Sequence, residues 1–233
     1  AMQRTTSDPV AAATLSADVD TVMGTIAGGG VAIAPLDVAY AIVAATADGI
    51  RRIYAAKRRS WDKPGGMFAN RELSRDIHDM DNDRHEMVRY LIEEENLPFS
   101  IVAPFRRDHP FLAAADPWVV DASSKSGTLD MLFNAGQFHD EMARQSQARQ
   151  MPVFGSSANM SLKGSKYRLD DIEQEVRDAA DVSFDYGTSL YANDQGLSSS
   201  IIDFSDFTVI RVGHVFERLR RVFAERFDVM LRG

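Results

Sequence analysis

Pro152-Val153-Phe154-Gly155-Ser156-Ser157-Ala158-Asn159 sets a short apolar strand directly against a run of small residues that carry hydrogen-bonding groups. Three other segments, far apart in the chain, share that character, each placed where a helix or strand starts or stops. Lys57-Arg58-Arg59-Ser60-Trp61-Asp62-Lys63-Pro64 follows a helix signal, Ser198-Ser199-Ser200-Ile201-Ile202-Asp203 enters a strand signal, and Arg211-Val212-Gly213 leaves one. Singly, each has a local explanation. Cations at a helix C-terminus complement its dipole, and serine-rich strand entries are common turns. Together they gather guanidinium forks, ammonium groups and hydroxyls at strand ends, which is what a triphosphate requires.

Outward from these segments, helix and strand signals interleave. Ser16 reads as the cap of a helix with Val19, Val22, Met23 and Ile26 on one face, ended by Gly28-Gly29-Gly30. A strand is expected over Val31–Leu36, and helices over Asp48–Lys57, Asp83–Glu95, Gly136–Arg149 and Val215–Phe227. Further strands are expected at Phe99–Ala103, Trp118–Asp121, Pro152–Phe154, Ser200–Phe204 and Thr208–Val212. The fold class is therefore α/β, with a mixed, largely covered sheet. Residues 1–15 read as a flexible N-terminal arm and 16–233 as a single domain.

Composition narrows the function. The chain has 233 residues and a net charge of -8, which disfavours broad nucleic-acid binding while leaving room for a small basic pocket. Its zero cysteines exclude disulfides, thiolate nucleophiles and cysteine-ligated metals. No apolar run reaches the roughly 20 residues that span a bilayer, and the first residues lack the layout of a secretion signal, so a cytoplasmic protein is expected. The five histidines form no H-x-x-x-H pair, so no metal site is assigned. Asp79-Met80-Asp81-Asn82-Asp83 imitates a calcium loop, but Arg84 replaces the turn glycine, and a helix cap is the better reading. Ser60-Trp61-Asp62-Lys63, Lys125-Ser126-Gly127 and Ser157-Ala158-Asn159 imitate a serine acylase in the wrong order.

The four donor segments, in their order, resemble the YrdC-like family, whose members include threonylcarbamoyl-adenylate synthases. The family's K-x-R followed by Lys-Pro is similar to Lys57, Arg59, Lys63 and Pro64, and its Ser-Ala-Asn to Ser157, Ala158 and Asn159. Asp185-Tyr186-Gly187, Ser199-Ser200-Ile201-Ile202-Asp203 and Ile210-Arg211-Val212-Gly213 match its later motifs. The resemblance implies a twisted mixed sheet with flanking helices around a central nucleotide-binding cavity. It also implies Lys57 and Arg59 as catalytic residues, and Lys57, Arg59, Ser157, Asn159, Ser199 and Arg211 as nucleotide ligands. The implied reaction joins bicarbonate, ATP with Mg2+, and L-threonine or another small amine into a carbamoyl-adenylate and pyrophosphate, feeding a tRNA-modifying partner. A non-catalytic nucleotide- or RNA-binding paralogue and a carbamoyl-phosphate-using relative are the alternatives.

Two departures mark the acceptor pocket, assigned to Leu36, Asp37, Val38, Tyr40, Leu132 and Ser156. The family's Pro-Thr-Asp-Thr-x-Tyr-Gly-Leu stands here as Pro35-Leu36-Asp37-Val38-Ala39-Tyr40-Ala41-Ile42, with both threonines apolar. The strand that usually carries Arg-x-Pro has no arginine between Thr128 and Asn134. A pocket that loses two hydroxyls and a guanidinium changes which substrate fits.

Overall fold

The computed structural model describes residues 3–232. Helix α1 (Ala12–Ala27) buries Val19, Val22, Met23 and Ile26, the face expected from their spacing. It begins four residues before Ser16, on an alanine run whose helix propensity does without a side-chain cap. Gly28 caps it, and Gly29 follows with φ of 95°. Strands β1 (Ala32–Pro35) and β2 (Tyr40–Ala44) then form an antiparallel pair joined by residues 36–39.

Thr46 caps α2 (Ala47–Lys57) by accepting from the Gly49 amide, and Arg58 closes it in the left-handed conformation. Next come β3 (Gly66–Phe68), α3 (Arg71–Ile77), α4 (Asn82–Glu93) and β4 (Phe99–Pro104). Asp81 caps α4, so the acidic run before it serves the helix. Two short helices follow, α5 (Pro110–Ala113) and α6 (Pro117–Ala122). The expected strand at Trp118–Asp121 is thus overturned. Asp116 caps the Trp118 amide at 2.8 Å and Pro117 opens the first turn, a start signal that outweighs a three-residue apolar run.

The chain continues through β5 (Ser124–Lys125), β6 (Thr128–Phe133), α7 (Gln137–Arg149) and β7 (Phe154–Ser157). It ends with α8 (Gln174–Asp178), β8 (Val182–Ser183), β9 (Ile201–Asp203), β10 (Thr208–Arg211) and α9 (Phe216–Arg226). The strands join one mixed sheet in the order β10-β9-β4-β6-β3-β7-β2-β1-β8, with β5 paired to β6.

The sheet's two faces are covered unequally. One side packs Ile42, Met67, Ile101, Met131, Phe133, Phe154 and Ile202 against apolar residues of α2, α3, α4 and α9. On the other side, α1 and α7 cover only the β1–β2–β3 end, where Val22, Ile26, Phe138 and Met142 meet Ala41, Val43 and Phe68. The rest of that second face, over β6, β4 and β9, is left to a cavity.

The segment expected as a flexible arm is fastened to this body. Thr6 is buried, its hydroxyl donates to Asp37 Oδ1 at 2.7 Å, and its amide donates to Thr188 O at 2.9 Å. Gln137 Nε2 donates to Thr6 O and Asp8 O, and residues 12–15 belong to α1, so the boundary at residue 15 falls inside a helix. Ala1 and Met2 lie outside the described residues. No helix among the described residues is long and apolar enough to cross a membrane.

Candidate functional site

The uncovered face opens into two adjoining lobes. One is lined by Leu36, Val38, Phe68, Asp130, Leu132 and Ser156, among others. The other is lined by Lys57, Lys63, Asn159 and Ser161. Arg59, Ser157, Ser198 and Arg211 line both, so they stand on the shared boundary. Ser199 lines the first lobe. All six residues expected to hold a nucleotide therefore converge on one cleft.

Local geometry explains how each is held. Arg59 directs Nε to Lys63 O at 2.7 Å, Nη2 to Pro64 O at 2.8 Å and Nη1 to Ser156 Oγ at 3.2 Å. The loop beneath it is fixed by Tyr54, whose hydroxyl donates to Lys63 O and accepts from the Gly65 amide, both at 3.0 Å. The Tyr54 ring stacks on Trp61 at 4.2 Å. Arg211 directs Nε to Ser199 O and Nη2 to Ser199 Oγ at 2.9 and 3.1 Å. Its side chain keeps solvent-accessible surface while protein atoms surround the guanidinium, as befits a group inside a cleft. That crowding lowers its pKa, and the nearby Asp130 charge opposes the shift.

A β-bulge aims Arg211. Val209 pairs with Ile202, but the next pairing is Arg211 with Ile201, leaving Ile210 as the extra residue. In an unbroken register Ile210 would lie opposite Ile201, on the cavity face; the bulge puts the arginine there instead. Gly213 lets the chain close over the serines, since a Cβ there would lie 2.2 Å from the Ser200 amide nitrogen.

Lys57 sits differently from its expected place. It is 1% exposed, and its ammonium donates to Ser157 O at 2.5 Å and Asn159 O at 2.7 Å. It braces the turn that presents Ser157 and Asn159 rather than standing free in the cleft. Burial, helped by the Arg59 charge, lowers its pKa to about 7. Deeper in the same lobe, Asn159 Oδ1 and Ser161 Oγ are buried with no hydrogen-bond partner. Unpartnered polar atoms beside clustered cations suit a polar, anionic ligand such as a nucleotide.

Of the residues assigned to the acceptor, Leu36, Val38, Leu132 and Ser156 line the first lobe. Asp37 does not. Its carboxylate accepts from Thr6 and lies against Gly136, where a Cβ would come within 2.6 Å of Oδ1. Burial raises its pKa, and it raises that of Asp140 on α7 in turn, although burial is the larger cause there. Tyr40 borders the lobe, but its hydroxyl donates to Gly187 O at 2.7 Å and accepts from the Tyr186 amide. It ties β2 to the Asp185-Tyr186-Gly187 turn, leaving no free donor for a ligand. Asp37 and Tyr40 are thus removed from the acceptor set as chemical contacts.

Asp130 is the residue that sequence reasoning missed. The alternation of β6 carried the signal: Leu129, Met131 and Phe133 are buried on the core face, which puts Asp130 and Leu132 on the other. Burial raises the Asp130 pKa to about 6, with Arg211 and Arg59 pulling it back. The histidines stay apart from this chemistry. His78 and His139 are buried, and burial lowers both pKa values to about 4. Among the described residues no three His, Cys, Asp or Glu side chains gather to hold a metal.

This fold and cleft define an α/β protein with a cavity lined by arginines, lysines and serines on the uncovered part of a twisted mixed sheet. The chain belongs to the Sua5/YciO/YrdC family, whose model, described as "Telomere recombination", matches residues 24–213. Solved structures agree on the fold. The hypothetical protein smu.1377c from Streptococcus mutans UA159 is 16% identical, with TM-score 0.72 over 90% of this chain and 92% of that one. P. abyssi Sua5 complexed with L-threonine is 18% identical, TM-score 0.69, over 94% of this chain and 59% of that one. E. coli YciO is 17% identical, TM-score 0.60, over 89% and 91%. No curated protein sequence matches the chain.

Proposed function

We propose that this protein is an ATP-dependent, adenylate-forming enzyme of the threonylcarbamoyl-adenylate synthase type, acting in the cytoplasm on a small amine. The observation that carries the reading is the convergence of Arg59, Arg211 and Ser157 at the boundary of a two-lobed cleft, with Ser199 beside them in the first lobe. In the proposed reaction an amine and bicarbonate give a carbamate and water. A carbamate oxygen then bonds to the α-phosphorus of ATP as the bond to pyrophosphate breaks, giving the carbamoyl-adenylate. Such chemistry needs positioning and charge neutralisation more than covalent help from the protein.

Arg59 and Arg211 are the groups suited to the phosphates, and their N–H donors not committed to Ser156, Ser199 or the Lys63 and Pro64 carbonyls are available for oxygens. Lys63 adds charge at the lobe's edge. Asn159 Oδ1 suits an amino or hydroxyl donor of the nucleoside. Lys57 acts one step back, by holding the carbonyls of Ser157 and Asn159. Magnesium would enter with the nucleotide, held chiefly by phosphate oxygens and water, where it would neutralise charge on the leaving group. The product would pass to a tRNA-modifying partner. The net charge of -8 favours such a hand-over over binding RNA broadly.

The test is pyrophosphate release by the purified protein with ATP, magnesium, bicarbonate and a panel of amines. Release that requires bicarbonate and one amine is the expected result. A folded protein that binds no ATP and releases no pyrophosphate with any amine would sink the reading.

A further inference from the structure

The cleft contains one carboxylate among its cations. Lys57, Arg59, Lys63 and Arg211 line the two lobes, and Asp130 is their one acidic lining residue among those described. A carboxylate there weakens the attraction of the cleft for a phosphate chain, so its presence calls for a counterpart. The two arginines do not pair with it: no Asp130 ion pair within 4.0 Å or hydrogen bond occurs among the described residues. Arg59 and Arg211 already commit donors to Ser156, Ser199 and the Lys63 and Pro64 carbonyls.

The surroundings of Asp130 describe what the counterpart looks like. Gly66 faces it from β3, and a Cβ at that position would stand only 3.3 Å from its carboxyl carbon and Oδ1, so glycine keeps the space before it open. Leu132, one pleat along the same face, and Leu36 and Val38 from the loop after β1 supply an apolar wall. Ser156, on the same lobe, is held by Arg59. The lobe therefore combines a half-buried carboxylate, an apolar wall and open space.

We infer that Asp130 is a specificity-determining residue that receives the ammonium of the second substrate, an amine with an apolar body and no α-carboxylate, and takes its proton, so that the neutral amine reacts and the carbamate forms beside an uncharged carboxyl. The inference rests on the adenylate-forming reading for what the amine does, and on the lobe alone for what the amine is. An α-amino acid would bring its own carboxylate toward Asp130, where like charges repel, and would compete with the phosphates for Arg59 and Arg211, the two guanidiniums of the same lobe. An alkylammonium gains a charge-assisted hydrogen bond there and buries its chain on Leu36, Val38 and Leu132.

The experiment is a set of binding titrations on the full chain with isopentylamine, isovalerate and L-threonine, in EDTA, with and without ATP. Asp130→Asn is compared throughout, with thermal unfolding as a check on folding. The native protein should bind isopentylamine at least tenfold more tightly than isovalerate or L-threonine. Asp130→Asn should lose about tenfold for isopentylamine and gain affinity for isovalerate, a reversal that a merely structural residue would not produce. Three results would overturn the proposal: no probe binding, L-threonine binding as well as isopentylamine, or an Asp130→Asn protein unchanged toward the amine. In a parallel ATP titration with magnesium in place of EDTA, an Asp130→Asn protein that keeps its amine affinity but loses magnesium-dependent ATP binding would overturn the proposal and assign the carboxylate to the metal. Titration of ATP alone, read through Arg211→Ala, tests the nucleotide reading separately, so the two failures are distinguishable.

Discussion

The two lobes of the cleft are built by different means. In the lobe of Lys57 and Asn159, and along its boundary, donors are clamped by backbone: Lys57 holds two carbonyls, Arg59 is held by two, and Arg211 is aimed by a bulge and seated on Ser199. The other lobe is floored by side chains of a regular strand and an interstrand loop, and its carboxylate has no partner among the described residues. The contrast separates a geometry that resists change from one that single substitutions rewrite. A position on a strand face can exchange a guanidinium for a leucine without moving the chain. A clamp made of carbonyls and bulges cannot be altered so locally.

The largest expected effect breaks the clamped side. Lys57→Ala leaves the Ser157 and Asn159 carbonyls unpaired in a buried site and should cost about 3 kcal/mol, read as a fall in the denaturation midpoint. Its effect on isopentylamine binding should be small by comparison. Next, Arg211→Ala should weaken ATP binding by roughly 10- to 100-fold, the worth of one or two charge-assisted hydrogen bonds. Calorimetric titration of ATP checks it.

On the other lobe the sign reverses. Because burial raises the Asp130 pKa to about 6, its carboxylate costs the fold stability as pH rises from the ordinary carboxylate value through 6. Asp130→Asn should therefore be more stable than the native chain at pH 7, by about 1 kcal/mol or roughly 2–4 °C, as expected where a site residue is kept at the fold's expense. The same titration makes amine affinity fall below about pH 6, as Asp130, which faces Arg59 and Arg211, protonates. The smallest effect is expected at the excluded position. Thr6→Val removes the hydrogen bond to Asp37 and should cost about 1 kcal/mol, leaving ATP and amine titrations unchanged. A shift in either would return Asp37 to the site.

The sequence carried the clamped side well, because its donors come in runs whose residue types and order are informative together. Lys57, Arg59, Ser157, Asn159, Ser199 and Arg211 all reach the cleft. It did not show that Lys57 would be buried as a brace, since a lysine closing a helix looks the same whether its ammonium meets water or carbonyls. Direction was the recurrent difficulty. Asp37 and Tyr40 lie beside Leu36 and Val38 in one short segment, yet tertiary contacts with Thr6 and Gly187 turn their polar groups elsewhere. Asp130 was hidden because one acid in an alternating strand normally marks the solvated face, and only the sheet order puts it in a cavity. The helix at Pro117–Ala122 and the docked residues 5–8 were missed for opposite reasons, the first an apolar run too short to fix its period, the second an anchor made by distant partners.

The half-bare face of the sheet has a mechanical consequence. Helices α1 and α7 stop short of β6, β4 and β9, so these strands are sandwiched on one side only. Whatever occupies the cleft serves as the absent layer, and its binding energy becomes folding energy for that end of the molecule. A bound ligand and the scaffold would then be parts of one structure, and amide protons of β6 and β9 should exchange with solvent more slowly once the cleft is filled.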